Sequence, residues 1–185
     1  MPWAFYETYE QGDKRLENII GEYASKDGKI FNKDNPGSDL VKGALPLKYT
    51  VDPDQIGDKG GIDIPILRYS DALLSLSECI VRNGGTVTQE AMDLVNDVRE
   101  RAGLSLLNLS DYASLDKYYD MLLLERGHEL YCEGHRRTDL IRFGKFIEFN
   151  RRVSGSQTEE YKVLYPIANK FIIEGQGVVL NNKGY

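Results

Sequence analysis

The chain has 185 residues, a hydrophobic fraction of 41% and twelve tyrosines, which excludes a disordered segment and allows one full core without disulfide staples. Its net charge of -6 is spread along the sequence with no basic block, which argues against nucleic acid as a partner. No apolar run is long enough to span a bilayer, and the given N-terminus, Met1-Pro2-Trp3-Ala4-Phe5-Tyr6-Glu7, does not read as a secretion signal.

The first stretch, residues 1–63, is loop-rich. Gly12-Asp13, Asp27-Gly28 and Asn35-Pro36-Gly37 break it into short pieces, with short strands predicted at 29–31 and 47–51. Residues 52–63 half-resemble a calcium loop, but Ile56 stands where an oxygen ligand belongs and Pro53 stiffens the second place. A solvated, Asp-rich loop is the expectation there.

A helix hairpin is predicted over residues 64–103. Pro65 suits a first turn, and Tyr69, Ala72, Leu73, Leu76 and Ile80 repeat at helical spacing until Asn83-Gly84-Gly85. Thr86 or Thr88 caps the second helix, whose apolar face is Ala91, Leu94, Val95, Val98 and Ala102, with Gly103 just past its end. Such a hairpin is the building unit of tetratricopeptide-type repeats, here in one copy.

Further helices are expected over 114–146. Ser114 caps the third, Gly134 breaks or bends it, and a shorter fourth over 136–143 ends at Gly144. The remainder, 150–185, reads as a loop-rich tail with one extended segment over 161–167. Cys79 and Cys132 fall on predicted helices among apolar neighbours and read as two buried thiols. The fold class is mainly α, with long loops and at most short strands, in a single domain over residues 1–185.

Residues 122–143 carry the most distinctive charge pattern. Glu125, Glu129 and Glu133 recur every four residues, and Arg136, Asp139 and Arg142 follow at steps of three. Set among leucines, these six read as a structural ion-pair network, because buried charges need partners. His128, Cys132 and His135 at i, i+4 and i+7 align three zinc-type donors, but a closed site wants a fourth ligand. Glu125 and His128 match half of a di-iron pattern, yet the chain has only two histidines. No metal or other cofactor is expected. The sequence has no Gly-x-Ser-x-Gly elbow, and arginines interleaved with the carboxylates hold them ionised, which is wrong for a general acid. The chain therefore does not read as an enzyme. Trp3, Tyr6 and Tyr9 cluster near the N-terminus, where flat rings either stack on sugar faces or simply pack a ragged segment.

Several motifs together resemble the SusD/RagB family. The run Asp63-Ile64-Pro65-Ile66-Leu67-Arg68-Tyr69-Ser70-Asp71-Ala72-Leu73-Leu74, with Ser77-Glu78, is similar to its D-I-P-x-x-R-Y-A-D-x-L-L…A-E signature. Val95-Asn96-Asp97-Val98-Arg99-Glu100-Arg101-Ala102-Gly103-Leu104 resembles I-N-x-V-R-x-R-A-G-L, and residues 125–144 resemble E-R-x-x-E-L-x-x-E-G-x-R-x-x-D-L-I-R-x-G. Gly12-Asp13-Lys14-Arg15, Leu47-Lys48-Tyr49, Tyr165-Pro166-Ile167 and the last six residues look like further family motifs. Ser70, Ser77, Ala168 and Lys183 depart from the usual residues, which touches local turn geometry and leaves the family intact.

The resemblance covers the C-terminal part of a typical member, the hairpin being the last of its tetratricopeptide-like pairs. It implies non-catalytic capture of oligosaccharides at the bacterial surface, and delivery to a TonB-dependent transporter of the SusC type. It also implies an outer-membrane location through a lipid anchor that this chain lacks. The alternative is a helical scaffold that docks the transporter without sugar affinity, and a zinc enzyme is a more distant one. In this family glycan contacts come largely from loops outside the motifs, which leaves Trp3, Tyr6 and Tyr9 as the candidate glycan contacts.

Overall fold

A computed structural model describes residues 1–49, 52–57, 60–154 and 157–185. It falls into two compact units, Met1–Asp139 and Leu140–Tyr185. The fold is mainly helical. No helix among the described residues is long and apolar enough to cross a membrane.

The first unit opens with a short helix, α1 (Trp3–Tyr6), followed by a 3-10 turn at Lys14–Asn18 that the Asp13 side chain caps through the Arg15 amide. Four two-residue strands then form two antiparallel ribbons: β1 (Ile19–Ile20) with β4 (Leu45–Pro46), and β2 (Tyr23–Ala24) with β3 (Ile30–Phe31). The predicted strand at 29–31 is β3. The one predicted at 47–51 is displaced to β4; Leu47 still donates its amide to Asn18, while Thr50 and Val51 lie outside the described residues. Asp58 of the calcium-like loop lies outside them as well. The Asp52 carboxylate accepts the Asp54 and Gly61 amides, an ordinary clamp within a loop.

The hairpin is α2 (Tyr69–Gly84) and α3 (Gln89–Arg101), and α4 (Leu115–Glu129) packs against both. Gly85 ends α2 in the left-handed conformation, and the Thr88 hydroxyl accepts the Ala91 amide at the start of α3. Leu74, Val81, Ala91, Met92, Val95, Tyr118 and Leu122 are fully buried, and they form the core of the three-helix layer.

Two features of α2 correct the sequence reading. It begins at Tyr69, not near Pro65, because Arg68 is extended and sends its guanidinium to Glu129 and Glu133. Its buried face is also rotated: Tyr69 and Leu76 are exposed, whereas Ser70, Asp71, Ser77 and Glu78 are buried beside Leu73, Leu74 and Val81. Partners for the polar groups explain this. Ser77 Oγ donates to the Ala91 carbonyl at 2.6 Å and accepts from the Tyr118 hydroxyl at 2.6 Å; Asp71 pairs with Arg126 at 3.0 Å and Glu78 with Arg82 at 2.6 Å. Hydrophobic periodicity alone does not register such pairs.

The helix holding the acidic row stops at Glu129, and Leu130–Gly134 forms turns with positive φ at Cys132 and Gly134. The next helix, α5 (His135–Arg142), contains the division between the two units and is followed by Gly144. His128, Cys132 and His135 therefore do not share one helix face. Cys79 and Cys132 are free and exposed, against the expectation of burial.

The second unit holds helices where a loop-rich tail was predicted. α6 (Phe146–Ser154) continues past residue 150, Glu160–Val163 is a 3-10 turn in place of the expected extended start, and α7 (Asn169–Glu174) follows. Asn181 and Asn182 hydrogen-bond back to the Tyr165–Ile167 backbone, and Tyr161 and Tyr185 meet edge to face.

Candidate functional site

The half of α4 from Leu122 onward is buried on nearly all sides, so its charged residues need partners on every neighbouring element. Arg15 is the hub. Its guanidinium binds Asp13 through Nη2 at 2.7 Å, Glu125 through Nη1 at 2.7 Å and Glu129 at 3.3 Å. Burial works against its charge, but its hydrogen bonds to Asp13 and the Glu125 charge outweigh that and raise its pKa. Glu125 also meets Arg99, which reaches on to Glu10 at 2.8 Å. Glu129 also accepts from Arg68 and Arg101, each at 2.5 Å.

Glu133 sits in the turns beyond α4, yet Arg68 at 2.7 Å and Lys48 tie it to the same cluster. Burial alone would raise the Glu133 pKa; hydrogen bonds from Arg68 and Lys48 reverse the sign and leave it lowered. Lys48 and Arg68 both donate to the Glu129 carbonyl as well, so two cations satisfy the C-terminal end of α4. Asp139 pairs with Arg126 at 2.9 Å, and Arg126 joins α5 to Asp71 of α2. Arg136 donates to the Leu123 carbonyl at 2.7 Å and lies 4.9 Å over the Phe5 ring, while Arg142 lies 4.6 Å over Phe143.

The aromatic segment leans on this cluster. The Trp3 indole donates to the Leu40 carbonyl at 3.0 Å and meets Tyr6 edge to face, and both rings are half-buried. Tyr6 covers Gly21 so closely that a Cβ there would lie 2.4 Å from its hydroxyl. Tyr9 is only 9% exposed; it donates to the His128 carbonyl and its ring lies 4.0 Å from the His128 ring. Of the three candidate glycan contacts, Trp3 and Tyr6 present surface, and Tyr9 packs beneath. Burial raises the Tyr9 pKa.

His128 is a neutral packing residue. Burial, then the charge of Arg15, lowers its pKa to about 3. The Thr8 hydroxyl donates to the Phe5 carbonyl at 2.6 Å, so its 2.8 Å contact with His128 Nε2 makes that nitrogen the protonated one. Gly127, beside it, has no room for a side chain: a Cβ would lie 2.8 Å from the Phe5 ring and 2.7 Å from Arg136 Nη1. Among the described residues, no group of three or more His, Cys, Asp and Glu side chains is placed to hold a metal ion.

The SusD family model matches residues 2–176. The chain belongs to the SusD family. The starch-binding protein SusD of Bacteroides thetaiotaomicron is 28% identical over 149 residues, 76% of this chain and 23% of that protein. A SusD-like protein of Formosa agariphila is 31% identical over 118 residues, 60% of this chain and 23% of the relative. The chain thus spans about a quarter of the length of these curated relatives. Among solved structures, a SusD homologue from Bacteroides thetaiotaomicron superposes with a TM-score of 0.73 at 22% identity, covering 98% of this chain and 43% of that one. Surface glycan-binding protein A from the same organism, in complex with laminarihexaose, gives a TM-score of 0.65 at 24% identity, covering 96% of this chain and 39% of that one.

The SusD-type motifs meet in space. Asp13 and Arg15, Lys48, Arg68 and Asp71, Arg99 and Arg101, and the glutamates of α4 come from separate motifs, and all enter the ion pairs described above. Sequence reasoning assigned the network only to residues 125–142. The signal for the rest lies in the charged positions of the upstream motifs, Asp13, Arg15, Lys48, Arg68, Asp71, Arg99 and Arg101.

Proposed function

We propose that this chain is part of a non-catalytic cell-surface protein that captures oligosaccharides and passes them to a TonB-dependent SusC-like transporter in the outer membrane. The observation that carries the reading is SusD family membership, with a starch-binding protein among the relatives. The buried ion network supports a binding role, because Glu125 and Glu129 of α4 are both already engaged by arginines and neither stands ready as a general acid. Trp3 and Tyr6 supply the ring surface, held from behind by the Leu40 carbonyl and Gly21.

Affinity electrophoresis of the chain in gels containing starch, laminarin and other polysaccharides tests the reading. Retardation by at least one glycan is expected, and unretarded migration with all of them would sink it.

A second reading rests on one observation: Ile64, Ile66, Leu67 and Tyr69, just ahead of and at the start of α2, are all more than 70% exposed. Such a run suits a protein partner, as in a scaffold that docks the transporter without sugar affinity. Co-purification with a SusC-like barrel, in the absence of any glycan retardation, would favour it.

A further inference from the structure

A cavity of about 340 Å³ opens along α4 within the first unit, apart from the Trp3–Tyr6 surface. Its volume lies at the lower end of the range of small-molecule pockets, roughly 300–1,000 Å³. Lys117, Met121, Leu124 and His128 line it at i, i+4, i+7 and i+11, so the groove follows one helix face for about 16 Å. At its deep end are Arg99, Glu125 and His128, each buried. Leu107, Met121 and Leu124 make an apolar wall, and Tyr112, Lys117, Asp120 and Glu10 stand around the more open part.

The charges of this lining decide what fits. Glu125 is held between Arg15 and Arg99, Arg99 continues to Glu10 and to the Ser105 carbonyl, and His128 is neutral. The floor is therefore internally compensated and offers little to an ion of either sign, whose desolvation would go unmatched. An apolar wall faced by a tyrosine ring, with carboxylate and ammonium groups at the margin, suits a molecule with one apolar face and a rim of hydroxyls. We propose that this groove is a subsite for a neutral mono- or disaccharide unit, stacked on Tyr112 and the Met121–Leu124 wall and hydrogen-bonded by Asp120, Lys117 and Glu10. The proposal rests on the glycan-binding reading and adds a second contact region to it.

The test is an NMR titration of the 185-residue chain with glucose, maltose and laminaribiose, and with glucuronic acid and glucosamine as charged counterparts. At least one neutral sugar should shift amide resonances of Tyr112, Asp120 and Leu124. Tyr112→Ala and Asp120→Asn lie at the accessible margin, so folding should persist, and each should weaken that binding by about three- to tenfold. Ile56→Ala, at an exposed position outside the lining, should leave it unchanged. Shifts confined to the Trp3–Tyr6 region, or insensitive to both margin variants, would overturn the subsite and leave the glycan-binding reading standing. Stronger binding of a charged sugar would overturn the neutral assignment. The absence of any shift with all probes, while polysaccharide still retards the protein, would also overturn the subsite; absence of both responses would remove the broader reading with it.

Discussion

Arg15 Nη1 lies 2.7 Å from Glu125 Oε1, although the two residues are 110 positions apart in the chain. The contact joins the N-terminal segment to the most buried part of α4. It also makes the fold depend on a charge that almost no water reaches.

Removing that charge should be costly. Arg15→Met would leave Asp13, Glu125 and Glu129 buried with one cation fewer, a loss of about 3–5 kcal/mol by analogy with other broken buried pairs. Arg15→Lys should lose less, since the charge survives but one ammonium cannot reproduce a fork spanning three carboxylates. Urea denaturation followed by circular dichroism measures both. A loss below about 1 kcal/mol for Arg15→Met would mean that the other arginines carry the network without it.

Gly127→Ala tests the close approach of three elements. The new methyl would meet the Phe5 ring at 2.8 Å, a helix-interior contact that neither α4 nor the α1 segment can relieve without moving. Although alanine is the better helix former, a net loss of about 1–3 kcal/mol is expected from overpacking. A stabilised variant would show that the segment carrying Phe5 is free to shift.

The pH dependence follows from His128. Its folded pKa is about 3, below the ordinary 6.5, so the unfolded chain takes up the proton first as pH falls. Stability is complete above about pH 6.5 and declines towards pH 3, at no more than about 1.4 kcal/mol per pH unit from this group. The lowered Glu133 pKa adds a further loss, confined to pH below its usual value of 4.5. In His128→Phe, which keeps a ring against Tyr9, the decline between pH 6.5 and 4.5 should be shallower than in the unsubstituted chain. Denaturation midpoints at half-unit intervals measure it, and parallel slopes would refute the assignment.

Both cysteines should react with a thiol reagent in the folded protein, because both are exposed. A count of two modified thiols without denaturant is expected, and a count of none would contradict their placement.

Much of the architecture was legible in the sequence where local chemistry decides it. Gly85 and Gly103 mark hairpin boundaries through φ > 0, and of the two threonines that could cap α3, Thr86 and Thr88, it is Thr88 that accepts the Ala91 amide. The rotation of α2 was not legible, because its buried face contains Ser77, Asp71 and Glu78, whose partners Tyr118, Arg126 and Arg82 lie on α4 or a turn away. The end of α4 was missed for a related reason: Glu133 keeps the four-residue rhythm while the backbone has already left the helix. Lys48 and Arg68 hold it from residues 85 and 65 positions upstream. Helix α6 was legible and missed, since Phe146, Phe149 and Val153 fall at i, i+3 and i+7, whereas α7, with six residues, is too short to show a period. The burial of Tyr9 was not legible, since nothing in the spacing of Trp3, Tyr6 and Tyr9 shows that the last packs against His128.

Isothermal titration calorimetry of the chain with starch- and laminarin-derived oligosaccharides tests the central claim most directly, with Trp3→Ala and Tyr6→Ala measured beside it. Saturable binding to at least one oligosaccharide is predicted, weakened about three- to tenfold in each variant while circular dichroism confirms the fold. Heats indistinguishable from dilution with every oligosaccharide would contradict the account, and so would undiminished affinity in both variants and in the Tyr112 and Asp120 substitutions.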